Sequence, residues 1–367
     1  MLRLVFMGSD AIARPALDWL TSEAGPPGRG KGGAQVVGVF TQPDRPVGRG
    51  QQVQPNAIKL WALARGLPVF QPEKLDAAAL AQLVELRPDV ALVMAYGKLL
   101  RQEFIDAPRL GTLNLHTSLL PRYRGASPIQ TAIACGDRET GVSLMRMVLQ
   151  FDAGPVGDIE PVAIAPLDTA ADVEGKLAQA CVPLLARALP RFAAGSLDFL
   201  PQDESQVTFC RRLAKEDGAV DFAIAASELA ARINGMFPWP CCQIEINGQS
   251  VKLGVADVAG EPAATAEVCN LIDYKAAETG PTTRDGKCHV LYDTGAGPGT
   301  VLGADAEGLL VATGHGVLRL RRLQRSGGRM LATGDFIRGF PVAPGTLLAS
   351  SPMAPLVGRV RFPRLRT

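Results

Sequence analysis

The chain of 367 residues is poor in aromatics (5%), has only three histidines and carries almost no net charge (+2). Each scarcity removes a class of protein. His116, His289 and His315 each stand without a second ligand at metal-site spacing, which argues against a structural zinc. The cysteines (Cys135, Cys181, Cys210, Cys241, Cys242, Cys269 and Cys288) are odd in number, form no C-x-x-C and are scattered over both halves. That pattern predicts reduced thiols in a cytoplasmic setting, and no disulfide framework. Clean apolar runs such as Val90–Ala95 are strand-sized, far short of the roughly 20 residues that cross a bilayer, so no membrane partner is expected. Met1–Gly8 enters an apolar run at once, with no h-region or small-residue cleavage site, and reads as a first strand.

What is present is an ordinary globular composition, 47% hydrophobic and 20% charged, which argues against disorder, coiled coil or fibrous repeat. At the usual domain size the length predicts two domains. Charge differs by region. Residues 1–207 hold 20 Lys+Arg against 21 Asp+Glu, whereas residues 208–367 hold 18 against 15. From Arg319 to the end ten arginines face one acid, Asp335. Such a stretch suits a polyanion, although an isolated basic run is more often a solvated face or loose tail.

Strand-like runs at Leu2–Phe6, Val36–Phe40, Val90–Ala95, Leu113–His116 and Val142–Val148 alternate with helix-like stretches at 11–20, 55–65, 76–86, 126–135 and 169–191. The alternation predicts an α/β fold with a doubly wound, mostly parallel, Rossmann-like sheet. Residues 195–206 are polar and suit a linker. Beyond Thr208, short strands at Gln243–Ile246, Val251–Val255, Val301–Leu302, Leu309–Thr313 and Gly316–Leu323, with turns such as Asn247-Gly248, predict a small β-barrel or sandwich. The expected domains are 1–200, a linker 201–207, a barrel 208–348 and a basic tail 349–367, with 259–297 as an insertion. Gly28-x-Gly30-x-x-Gly33 matches the dinucleotide pattern only as text: it follows a helix and precedes a strand, the reverse of the pyrophosphate turn. A nicotinamide cofactor is therefore not expected.

The densest chemistry lies in Thr112–Pro128. In an extended strand Leu113 and Leu115 point one way, while Asn114 and His116 emerge together on the other face. At the carboxyl end of a parallel strand they would open into the ligand crevice of an α/β sheet. A second strand leads into Asp152-Ala153-Gly154-Pro155, whose acid is placed to reach His116. The trio has the logic of acyl transfer to an amine. His116 would take the amine proton, Asp152 would stabilise the imidazolium, and Asn114 would donate to the oxyanion. A structural role in loop packing is the alternative reading of the same residues.

Asn114-x-His116, Ser118-Leu119-Leu120-Pro121, Arg124-Gly125 and Asp152-x-Gly154 together resemble the 10-formyltetrahydrofolate-dependent formyltransferases. Three further segments, Val39–Gly50, Met94–Leu100 and Lys215–Gly218 with Phe237–Pro240, are similar to the branch of that family acting on charged tRNA. The likeness spans nearly the whole chain. It implies 10-formyltetrahydrofolate as co-substrate, methionyl initiator tRNA as acceptor and an oligonucleotide-binding-like C-terminal barrel, with no metal. It implies catalytic roles for Asn114, His116 and Asp152, and folate binding by Met94, Ala95, Tyr96, Gly97, Ser118, Leu119, Leu120 and Pro121, apolar side chains sandwiching the pterin. It further implies tRNA contacts from Arg45 and Arg49 in an inserted loop and from the basic stretch at Arg319, Arg321 and Arg322. Nothing requires an oligomer, and a monomer is expected. The chain departs from the family in Asp152-Ala153-Gly154-Pro155, where a second acid is usual. A small-amine formyltransferase, a folate hydrolase or a non-catalytic RNA-binding protein are the rival readings. Length weighs against a glycinamide-ribonucleotide enzyme, the basic barrel and the Asp44–Gly50 loop against a sugar-amine formyltransferase or a folate hydrolase, and the intact trio against the RNA-binding protein.

Overall fold

Strand β1 (Leu2–Gly8) is buried along almost its whole length because both of its faces meet apolar side chains: Leu4 and Phe6 enter one core, Val5 and Met7 the other. A parallel strand covered on two sides has to read this way. Around it the chain lays β2 (Ala34–Phe40), a small hairpin of β3 (Arg45–Val47) and β4 (Gln52–Gln54), then β5 (Val69–Phe70), β6 (Val90–Met94), β7 (Thr112–His116), the short β8 (Arg124–Gly125), β9 (Glu139–Arg146) and β10 (Val156–Ala163). The main sheet runs β10-β9-β7-β6-β1-β2-β5. Its pairings from β5 through β7 are parallel, and β9 turns antiparallel to both neighbours. The order reverses between β1 and β6, the switch point at which such sheets bind ligands.

The computed structural model describes residues 1–22, 34–47, 50–259 and 295–362. Within it the chain divides into two compact units. The first is Met1–Ile164, Asp168–Ala214 and Ala354–Thr367; the second is Ala165–Leu167 and Lys215–Met353. The stretch 201–207, expected as a linker, lies within the first unit, and so does the chain from Ala354, expected as a tail.

Helices cover the two faces of the first unit's sheet. α1 (Arg14–Thr21), α2 (Ala57–Leu63), α5 (Pro128–Ala134) and α6 (Ala170–Ala193) pack on the Leu4–Phe6 side, and α3 (Ala77–Glu85) and α4 (Gln102–Asp106) on the Val5–Met7 side. Asp76 caps α3 through its bond to the Ala79 N–H (3.1 Å), as the sequence predicts. α6 starts from a capping box of Thr169 and Asp172. It buries Val173, Leu177, Cys181, Leu184, Leu185, Ala188 and Phe192, a helical stripe facing the core. The sequence reading passes over β10. This edge strand is half-buried and contains Gly157 and Pro161, so it lacks clean alternation; an edge position is where a strand tolerates proline.

In the second unit an antiparallel sheet curls as a half-barrel in the order β12 (Gln243–Ile246), β13 (Gln249–Val258), β16 (Val317–Arg325), β15 (Leu309–Ala312) and β14 (Val301–Ala304), with β17 (Leu331–Ala332) added to β16. The five strands expected from the sequence fall on β12 to β16. Helix α7 (Ala226–Met236) was not expected there. Its buried residues include Arg232 and Asn234, so the apolar stripe is broken by polar side chains whose bonds are internal: Asn234 clamps Ala256 through its N–H and C=O at 2.8 and 2.9 Å. α8 (Thr333–Gly339) follows β17. Among the described residues no helix is long and apolar enough to cross a membrane. The Gly28–Gly33 motif and nearly all of the 259–297 insertion lie outside the described residues.

Leu113 and Leu115 of β7 sit in the core at 0% and 2% exposure and so fix which way the strand faces. Leu115→Ala is expected to cost about 3 kcal/mol of stability through lost burial and the residual cavity. Urea denaturation reads this as a lower midpoint, and a loss under about 1 kcal/mol would show that Leu115 does not anchor the strand.

Candidate active site

With Leu113 and Leu115 committed to the core, Asn114 and His116 emerge on the opposite face of β7, 9% and 6% exposed. The predicted juxtaposition is present. His116 Nε2 lies 3.0 Å from the Tyr123 carbonyl oxygen. A carbonyl only accepts, so Nε2 carries the proton and Nδ1 keeps its lone pair in the neutral ring. Nδ1 is 3.9 Å from Asp152 Oδ2. At that separation an imidazolium and a carboxylate attract by about 4 kcal/mol in a partly wet interior, before any burial cost. The Asn114 amide has no hydrogen-bond partner among the described residues, which leaves a nearly buried donor free for a ligand.

Asp152 comes from a loop, since β9 ends at Arg146, and the carboxylate is delivered by local constraints. Its backbone is left-handed (φ 49°), uncommon for a residue other than glycine. Gln202 holds that turn, its Nε2 donating to the carbonyls of Asp152 and Gly154, both at 2.7 Å. Gln202 is itself oriented by Arg124 Nε donating to Oε1 (3.0 Å). Gly154 is required by contact: a Cβ there would stand 1.8 Å from the Arg146 carbonyl oxygen. The Asp152 carboxylate is fixed by the Gly125 N–H, 2.9 Å from Oδ2. Gly125 has φ 144°, and a Cβ on it would meet the Cys210 carbonyl at 1.9 Å.

The sequence reading holds Gly125 only as part of a motif and gives no role to Gln202 or to the Tyr123 carbonyl. Gln202 lies in a polar run that suits a linker, and backbone groups leave no trace in residue type. The Asp152–Gly154 spacing was the available signal.

The Met94–Gly97 and Ser118–Pro121 segments lie at the carboxyl ends of β6 and β7. The eight residues expected to bind folate differ in exposure. Met94 and Tyr96 pack into the two opposite cores, because β6 ends at Met94 and the left-handed backbone of Ala95 (φ 48°) breaks the alternation that would keep the two on one face. Burial pushes the Tyr96 hydroxyl up to about 12, and that hydroxyl has no hydrogen-bond partner among the described residues. Ser118 and Leu120 are also buried. Ser118 is tied into its loop, with its hydroxyl donating to the Arg122 carbonyl (2.6 Å) and its carbonyl accepting from Ser143 Oγ (2.7 Å). Ala95 and Gly97 are exposed, and Leu119 and Pro121 half-exposed; these four are the accessible part of the eight.

Of the arginines expected to meet nucleic acid, Arg45 is 61% exposed and pairs with Glu73 at 3.2 Å in the β3–β4 hairpin. Arg49 lies outside the described residues. Arg319 is 8% exposed, and its guanidinium bonds Asp257 (2.8 Å) and Asp305 (3.1 Å). Arg321 pairs with Asp257 and Glu307 at 2.8 and 2.9 Å. These two charges, expected to contact tRNA, are paired with acids of the same unit. Arg322 is exposed with no ion pair among the described residues. No group of three or more His, Cys, Asp or Glu that could hold a metal ion occurs among the described residues.

Residues 5–189 match the Formyl transferase family and residues 212–341 the Formyl transferase, C-terminal domain, family. The methionyl-tRNA formyltransferase of Ectopseudomonas mendocina (strain ymp) is 37% identical over 350 residues, covering 95% of this chain and 98% of that one. That of Ralstonia nicotianae is 36% identical over 360 residues, with the same coverage. Among solved structures, an N-formyltransferase from Helicobacter canadensis in complex with folinic acid and dTDP-3-aminofucose superimposes with a TM-score of 0.57. It is 16% identical and covers 87% of this chain and 99% of its own, a likeness of fold alone.

The tautomer argued above is directly observable. In ¹⁵N-histidine spectra at a pH where His116 is neutral, Nε2 is expected to be protonated and Nδ1 bare, with His116→Ala assigning the signal. A protonated Nδ1 in the neutral ring would contradict the geometry.

Proposed function

The chain belongs to the formyl transferase family, and from that premise we propose that it transfers the formyl group of 10-formyltetrahydrofolate to the α-amine of methionyl initiator tRNA. The observation that carries this reading in the structure is the meeting of Asn114, His116 and Asp152 at the carboxyl end of β7, with an amide donor and a ring nitrogen both unspent. The α-amine attacks the formyl carbon, forming the new C–N bond. His116 Nδ1 takes the amine proton, and the imidazolium so formed lies against the Asp152 carboxylate. Asn114 donates to the oxygen that gains charge in the tetrahedral intermediate. Collapse breaks the bond to the folate N10, which takes its proton from the imidazolium and leaves as tetrahydrofolate. No side-chain nucleophile is needed, since the acceptor amine supplies it.

The site fits a folate at its accessible edge. Ala95 and Gly97 present exposed backbone, Ala95 in the left-handed region at φ 48°, and Leu119 and Pro121 offer apolar surface beside it. The Ala95 and Tyr96 carbonyls already accept from the Ser9 N–H (3.3 Å) and Gln42 Nε2 (2.9 Å), so the loop is pre-set. For the tRNA, Arg45 on the exposed hairpin, Arg322 and, outside the described residues, Arg49 are the cations we assign to phosphate contacts. The enzyme acts as a monomer in the cytoplasm on this reading. All three catalytic groups come from one chain, and among the described residues no cysteine is in a disulfide.

The reading is tested by offering charged initiator methionyl-tRNA and glycinamide ribonucleotide in parallel with 10-formyltetrahydrofolate. Formylation of the tRNA alone is expected; formylation of the small amine, or folate hydrolysis only, would overturn it. Arg45→Ala is expected to raise the KM for the tRNA about tenfold at physiological salt while folate affinity stays constant. Unchanged tRNA kinetics would remove Arg45 from the interface.

A further inference from the structure

The C-terminal segment, whose basic composition suggested a loose tail, is built into the frame of the candidate active site. Strand β18 (Val357–Gly358) pairs antiparallel with β11 (Phe209–Cys210), which pairs in parallel with β8 (Arg124–Gly125). β8 holds the Gly125 N–H that fixes the Asp152 carboxylate, and it follows directly on Tyr123, whose carbonyl fixes His116. Val357 packs against the buried cluster of Tyr123, Ala132 and Cys210, and Leu356 is 4% exposed. Two more bonds fasten the segment: Arg211 Nε donates to the Pro355 carbonyl (3.1 Å) and Arg359 Nη1 to the Ser205 carbonyl (2.7 Å). It then places the Arg361 guanidinium 4.8 Å from the centroid of the Phe151 ring, the residue before Asp152, in cation–π contact.

We propose that residues 354–362 form a strap that positions the catalytic pair, with Arg361 as its positioning residue. β18 borders β11, which pairs with β8, the strand that anchors Asp152 through Gly125 and follows directly on the Tyr123 anchor of His116, and Arg361 clamps the ring beside Asp152 from the outside. Arg361 is exposed and touches no reacting atom. It acts through Phe151 on the loop whose left-handed residue must present its carboxylate to Nδ1. This inference rests on the reading of His116 and Asp152 as the catalytic pair.

The test uses the full-length protein and two readouts. Arg361→Ala is expected to lower kcat for formyl transfer about tenfold, the scale on which small misplacements act, with the KM for folate unchanged. The pH midpoint of the His116 ¹⁵N signal should move with it. Arg361→Lys, which keeps a cation over the ring, should restore most of both. Phe151→Leu should reproduce the Arg361→Ala effect, and the double variant should add nothing further. A wild-type kcat in Arg361→Ala, or a lowered kcat with an unmoved His116 titration, would overturn the strap. Should the wild-type protein formylate neither amine while the His116 midpoint still shifts in Arg361→Ala, the proposed activity fails and the strap stands.

Discussion

The site depends on a carboxylate held 3.9 Å from an imidazole whose other nitrogen is already occupied. Neither condition is met by β7 alone. The Tyr123 carbonyl dictates which nitrogen of His116 is basic, and the Gly125 N–H dictates where Asp152 can stand. Both anchors come from three consecutive residues, Tyr123 to Gly125, after the loop that follows β7. Tyr123 and Gly125 each have positive φ. A shift of that short segment would change the proton-accepting atom and its counter-charge together, so the surrounding elements converge on it: β11 beside β8, Gln202 on the Asp152 turn, and Ser143 bridging Ser118 and Leu120 at 2.7 and 3.1 Å.

Much of this was legible in the sequence wherever periodicity decides. Leu113 and Leu115 against Asn114 and His116 is a period-2 argument, and the burial of the strand follows it. Five of the helices covering the sheet were legible from their own periodicity, down to the Asp76 cap, while the five-residue α4 is too short to show one. The limits were equally physical. Asp152 was expected at a strand end, yet β9 stops at Arg146 and the acid is delivered by a turn that Gly154 and Gln202 shape together. Met94 and Tyr96 match a ligand-binding motif, although alternation along β6 sends Met94 into one core and the left-handed turn at Ala95 sends Tyr96 into the other.

Charge shows the clearest limit of local reading. Ten arginines against one acid from Arg319 onward describes the chain in one dimension. In the sheet Asp257 stands directly opposite Arg319 in the β13–β16 register, and Asp305 and Glu307 reach it from the turn after β14. Acids some 12 to 64 positions away thus neutralise what looked like an uncompensated patch. Arg361 belongs to the same stretch and meets an aromatic ring, while Arg322 stays exposed. Sequence-local charge therefore marks a region, and the register decides which members of it are available to a polyanion.

The central claim is that the Asp152 charge, presented to His116 Nδ1, drives the proton transfer. Single-turnover formyl transfer by Asp152→Asn, which preserves the side-chain shape and removes the charge, tests it most directly. The account predicts a rate at least about a hundredfold below wild type, the usual scale of general acid–base contributions, with folate affinity unchanged. A rate within about threefold of wild type at saturating substrates would contradict it, since an effect that small leaves no room for general-base assistance of the usual size.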